Sequence, residues 1–192
     1  MKRIAIFLTT SLFLLTLNSV KAQDQAAMTK AWEDFMTPGD MHKLMAGWNG
    51  TWTSDVTAWM APSAPPSKST ATVENKMALN GLYQMGHYSG TMMGAPFEGY
   101  STLAYDNAKK MFVNTWIDNM GSGVVIMTGK WNDNTKTLEL KGTQTDPMTG
   151  KDSDIREVIK IIDGNSQMMT MYGSGPDGKE MKFMEASMKR KM

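Results

Sequence analysis

Cysteine is absent from the sequence. That excludes a thiol nucleophile, a zinc–thiolate centre, an iron–sulfur cluster, a disulfide and a lipid carried on a cysteine. Histidine is nearly absent: His42 and His87 are the two, and so far apart in sequence they make a poor metal cluster. Charge of one sign is lacking as well. Twenty basic residues face 19 acidic ones, so no nucleic-acid partner and no anionic membrane surface is indicated. Motifs for covalent chemistry are missing too. Ser89, Ser122 and Ser174 do not stand in a Gly-x-Ser-x-Gly elbow. No glycine-rich phosphate loop leads into Lys-Ser or Lys-Thr. The turns Asn132-Asp133-Asn134 and Asp152 to Asp154 lack the ligand spacing of a helix-loop-helix calcium site.

One apolar run is present, at the start. Met1-Lys2-Arg3 is a short basic segment, Ile4 to Val20 is apolar with polar punctuation, and Val20-Lys21-Ala22 ends in a small residue. This order predicts a secretory signal peptide over residues 1–22, cut after Ala22. The run is short and polar for a membrane span, which takes about 20 apolar residues, and no second run follows. The expected mature chain therefore has no spanning helix and works in the periplasm or outside the cell. Cleavage leaves 170 residues (192 minus 22) with 17 basic and 19 acidic side chains, a net charge of −2. That length suits one domain with a real core. It must be held by core and sheet alone.

Methionine is the compositional oddity. Of 21 methionines, 20 follow Ala22, against six leucines there. Methionine filling leucine's place in the core is one reading, since its flexible thioether suits irregular interiors. A soft thioether site for Cu(I) is the other.

Residues 23–46 are expected to be helical, with Met28, Trp32 and Phe35 as an apolar stripe. Thr37-Pro38 reads as an N-cap and first-turn proline of a second short helix, which Gly47 ends. From Asn49 the pattern changes to period two. Ten strands are expected, at about 49–60, 69–79, 82–92, 97–105, 110–118, 123–131, 136–145, 153–162, 166–173 and 179–190. The segments between them carry Gly, Asn, Asp or Pro where the backbone must reverse, as in Asn80-Gly81 and Asp163-Gly164-Asn165. Short turns imply an antiparallel meander, and closing it removes both exposed edges. The expected fold is all-β, an up-and-down barrel of about ten strands over 47–192 with the helical segment 23–46 before it. A twisted sandwich is the alternative. Ten strands enclose more than the eight whose side chains just fill a barrel, so an internal cavity is expected.

Several segments resemble a known family in order and spacing. They are Pro38-Gly39-Asp40-Met41-His42-Lys43-Leu44, Gly47-Trp48-Asn49-Gly50-Thr51-Trp52, Pro96-Phe97-Glu98-Gly99, Tyr105-Asp106-Asn107, Trp116-Ile117-Asp118-Asn119-Met120-Gly121, Asp146 to Lys151, Met184-Glu185 and Arg190. Over about 28–190 they are similar to the domain of unknown function 1579 family. The resemblance implies a calycin-like barrel and no particular activity. It marks His42, Trp52, Glu98, Asp106, Trp116, Asp118, Glu185 and Arg190. Gly50-Thr51-Trp52 also resembles the Gly-x-Trp of lipocalins, in which the first-strand tryptophan packs on a basic residue of the last strand. That resemblance assigns Trp52 and Arg190 to barrel closure.

Trp116 and Asp118 stand two apart on one strand and so share a face. They are either a lumen wall or a packed tryptophan beside a turn-capping acid. Glu98 and Glu185 are two carboxylates that would support acid–base chemistry only if brought together. His42 precedes the barrel and is a candidate for its mouth, and His87 lies in the third strand. Non-covalent haem held by one histidine with a methionine partner is chemically possible, though a structural, hydrogen-bonded role is the plainer expectation for each. The reading that follows is a carrier of a small apolar or amphipathic ligand, with His42, His87, Glu98, Trp116, Asp118 and Glu185 as candidate contacts and no metal or cofactor required. A small enzyme using carboxylates or histidine, and a methionine-based Cu(I) protein, are the alternatives.

Overall fold

The structure, a computed structural model, describes residues 24–61, 64–92, 94–175 and 177–192. The expected signal peptide, 1–22, lies outside the described residues. Chain contacts divide the protein into two compact units, Met1–Thr37 and Pro38–Met192. In the first, a helix (α1) runs over 24–36. An i,i+4 pair joins Lys30 to Asp34 at 3.1 Å, and Trp32 meets Phe35 edge-on.

The second unit opens with α2, Asp40–Ala46. The expected cap at Thr37 is not used, because its hydroxyl donates back to the Glu33 carbonyl in α1, at 2.6 Å. Gly39 is the N-cap instead, and its N–H donates to Nδ1 of His42, 3.0 Å away. The second helix thus belongs with the barrel rather than with α1.

Ten strands follow. They are β1 Gly50–Ala58, β2 Ser67–Ala78, β3 Tyr83–Met92, β4 Ala95–Asp106, β5 Met111–Asp118, β6 Val125–Asn132, β7 Thr137–Thr145, β8 Asp152–Asp163, β9 Ser166–Ser174 and β10 Glu180–Arg190. Each pairs antiparallel with its neighbours in sequence, and β1 pairs with β10 to close the barrel. Alternation sorts the side chains. In β8, Ile155 and Glu157 are buried while Asp154 and Lys160 are exposed, and in β7 Leu138 and Leu140 are buried while Glu139 and Lys141 are exposed.

At the end where α2 lies, the barrel is filled. Met45 and Trp48 pack with Leu103, Phe112, Leu138 and Leu140 in one buried cluster. A second cluster holds Trp52, Val73 and Met188 at the β1–β10 seam. There Trp52 stands opposite Arg190 in register, and the Arg190 guanidinium lies 4.2 Å from the indole centroid. The same guanidinium donates to the carbonyls of Gly47, Asn49 and Gly164. Trp52 Nε1 donates to the Trp48 carbonyl at 3.1 Å. Gly50 sits at a φ of +118°, and a Cβ there would meet the Arg190 guanidinium at 2.8 Å. Glycine at that position lets arginine reach across the barrel base.

Candidate functional site

Beyond the packed end, the barrel interior is not filled. A cavity of about 330 Å³ runs from Trp48 near α2 to Met92, the exposed Met120 and Met184 at the other end. Among the described residues seven methionines line it, namely Met92, Met120, Met127, Met169, Met171, Met184 and Met188, together with Phe97, Tyr88 and Trp116. Its volume falls within the range of small-molecule sites, and its wall is apolar with a few placed polar groups.

Trp116 and Asp118 both face this cavity from β5. The indole N–H of Trp116 donates to Asp118 Oδ2 at 2.7 Å, and the Met120 N–H donates to the other oxygen at 2.9 Å. Tyr88 meets the Trp116 ring edge-on and Phe97 stacks beside it. The indole lies over Gly99 of the neighbouring strand, where a Cβ would come within 2.6 Å of the ring. The missing side chain at Gly99 is what lets the indole lie against the wall.

The other candidates lie elsewhere. His87 and Glu98 stand on the outer face of β3 and β4, joined at 3.0 Å, with His87 stacked on Tyr100. The Tyr100 hydroxyl donates to Glu98 at 2.6 Å, and this bond first, then that from His87, holds the Glu98 carboxyl below its usual pKa. Glu185 is also outside the cavity, on β10, paired with Lys182 at 2.9 Å. Glu98 and Glu185 are therefore on non-adjacent strands and form no pair. His42 is buried between α2 and the barrel, edge-on to Tyr105. Its Nε2 is enclosed without a hydrogen-bond partner among the described residues. Burial lowers its pKa, and the Tyr105 backbone opposes that shift. Neither histidine lines the cavity. Asp106 caps its own turn by accepting from the N–H groups of Ala108 and Lys109. Among the described residues no group of three His, Asp or Glu side chains could hold a metal ion, and no helix is long and apolar enough to cross a membrane.

The residue that sequence reasoning missed is Glu157. It is 8% exposed and faces the cavity from the middle of β8. Burial alone pushes its pKa from 4.5 up to about 7. Across the cavity, Tyr88 is pushed up to about 12, first by burial and then by the charge of Glu157, against a hydrogen bond with Ser101. The signal was present in the segment Ile155-Arg156-Glu157-Val158-Ile159. Period two puts this acid on the face of two isoleucines, where a solvated acid does not belong.

The fold and the cavity define a closed ten-stranded β-barrel with an apolar, part-empty interior. The chain belongs to the family described as "Protein of unknown function (DUF1579)", whose pattern covers residues 37–190. No curated protein matches the sequence. Among solved structures the barrel is similar to Rv2717c from M. tuberculosis, at 12% identity and a TM-score of 0.62 over 81% of this chain and all of that one. It is similar also to the S-type phycobiliprotein lyase CPES from Guillardia theta, at 10% identity and a TM-score of 0.56, over 79% of this chain and 93% of that one. At these identities the likeness is one of fold.

Proposed function

We propose that this protein carries a small apolar or amphipathic molecule inside its barrel. The observation that carries the proposal is the cavity of about 330 Å³ walled by methionine and aromatic side chains. Interiors are ordinarily packed to crystal-like density. A lumen with an unfilled space of this size therefore has room assigned to a guest. Methionine suits such a wall because its side chain adapts to the shape of what it meets. The similarity in fold to a phycobiliprotein lyase is compatible with a barrel that accommodates a small molecule. The alternative of an enzyme built on Glu98 and Glu185 has no geometric support, since the two carboxylates stand apart on the outer surface.

Native mass spectrometry of the protein purified from the organism that makes it, set beside the same sample denatured, tests the proposal. A mass excess in the native spectrum alone is the expected result, and its value distinguishes an amphiphile from haem or copper, the latter reaching the seven lining methionines. A bare chain that also gains no mass with added decanol would overturn it. Export remains part of the same proposal, on the strength of the first 22 residues. N-terminal sequencing of that sample should begin at Gln23, and a chain beginning at Met1 would refute it.

A further inference from the structure

We propose that Glu157 is the polar anchor of the cavity and that it selects an amphiphile bearing a protonated nitrogen, such as an alkylamine. This rests on the carrier reading above and adds the chemical class of the guest.

Three observations carry it. The first is the surroundings of Glu157. Its cross-strand partners are Leu140 on β7 and Met171 on β9, and along β8 its face is shared with Ile155 and Ile159. Directly opposite residues in an antiparallel sheet point to the same side, so the carboxyl is ringed by apolar side chains. The neighbouring Arg156 points outward and is taken by Glu180, at 2.6 Å. The second is that the carboxyl forms no hydrogen bond or ion pair among the described residues, although it borders open cavity space. Two other polar groups of the lumen are occupied: Gln84 donates to the Met45 carbonyl and to Asn49, and Asp118 accepts from Trp116 and Met120. A buried acid without partners is costly to keep, and a guest that supplies a donor removes that cost. The third is the sign of the wall. Among the described residues the side chains lining the cavity include two acids, Glu157 and Asp118, and no lysine, arginine or histidine. An anionic head group would meet like charge and no counter-ion. A cationic nitrogen would meet an unpaired carboxylate in a medium of low dielectric, where charge-assisted hydrogen bonds are strongest.

The test compares three probes with the same tail, decylamine, decanol and decanoate, by isothermal titration at neutral pH below their micellar concentrations. The wild-type protein should bind decylamine at least about tenfold more tightly than decanol, the factor one charge-assisted hydrogen bond supplies, and decanoate most weakly. Glu157→Gln keeps the shape of the side chain and should bring decylamine down to the affinity that decanol shows for the same variant. Equal affinities for the three probes in the wild type would overturn the anchor and leave the carrier reading standing. So would a preference that survives Glu157→Gln and is removed by Asp118→Asn. Failure of all three probes to bind would overturn the carrier reading and the anchor together. Thermal melting of each variant separates lost selectivity from lost fold.

Discussion

Replacing Glu157 by glutamine should stabilise the empty protein, and only above a defined pH. In the unfolded chain this carboxyl titrates near 4.5, and in the folded barrel near 7. Between those values the folded state holds a proton that the unfolded state has lost, so stability falls as pH rises through the window. Below 4.5 both states are protonated and the glutamate costs nothing beyond its amide analogue. Above about 7 both are ionised, and the full penalty of holding an unpaired carboxylate in the barrel applies. The gap between the two values corresponds to about 3 kcal/mol. For a chain of this size that is roughly 6–12 °C in Tm. Melting curves of wild type and Glu157→Gln from pH 4 to pH 8.5 should therefore coincide at the acid end and diverge to that extent at the alkaline end, with the variant higher. His42 moves stability the other way, because burial lowers its pKa and the unfolded state takes up the proton first as pH falls below 6.5. It is common to both proteins and cancels in the difference. A Tm difference that stays constant across the range would refute the placement of Glu157 in an apolar, unpartnered site.

Other substitutions separate the barrel base, the cavity and the outer face. Arg190→Ala removes three bonds to backbone carbonyls and the contact with Trp52. It should cost about 2–4 kcal/mol in denaturant unfolding, and Arg190→Lys should recover only a minor part, since an ammonium cannot reach the three carbonyls in a fixed fork. Gly99→Val places a side chain where the Trp116 indole lies. It should shift the indole N–H resonance of that residue and weaken decanol binding about tenfold. His87→Ala and Glu98→Gln alter a pair that is exposed on the outer surface. Both should change probe affinity by less than about twofold and stability by less than about 1 kcal/mol.

The barrel was legible because its turns are chemically explicit. Asn80 and Gly81 have positive φ, as do Gly150 and Gly178, and each stands in a segment whose composition marks a reversal. All ten strands lie where period two and those breaks put them, within a few residues at each end. Which face of a strand points inward was harder to read. In β3 the inward residues are Gln84, Gly86 and Tyr88, while Tyr83, Met85 and His87 face outward. The more hydrophobic-looking set is thus the outer one, and His87 followed it. In β10 a bulge between Lys182 and Met184 breaks the alternation, so Phe183 and Met184 both reach the cavity and Glu185 is left outside. Trp116 and Asp118 share a face in a strand without such an irregularity, and they are found together at the cavity wall. Glu157 stands in none of the family motifs, and its anomaly lies in its company, Ile155 and Ile159 on the same face. A one-residue offset in β8 would have made it an ordinary surface acid.

The measurement that bears most directly on the central claim is a two-dimensional NMR titration with decanol, following the indole N–H of Trp116 and the methyl groups of the cavity methionines. Saturable shifts confined to Trp116, Met169, Met171 and Met184, with the Trp32 indole in α1 unmoved, are the predicted result. Shifts confined to Trp32, or none at any of these groups, would contradict a barrel that holds its guest inside.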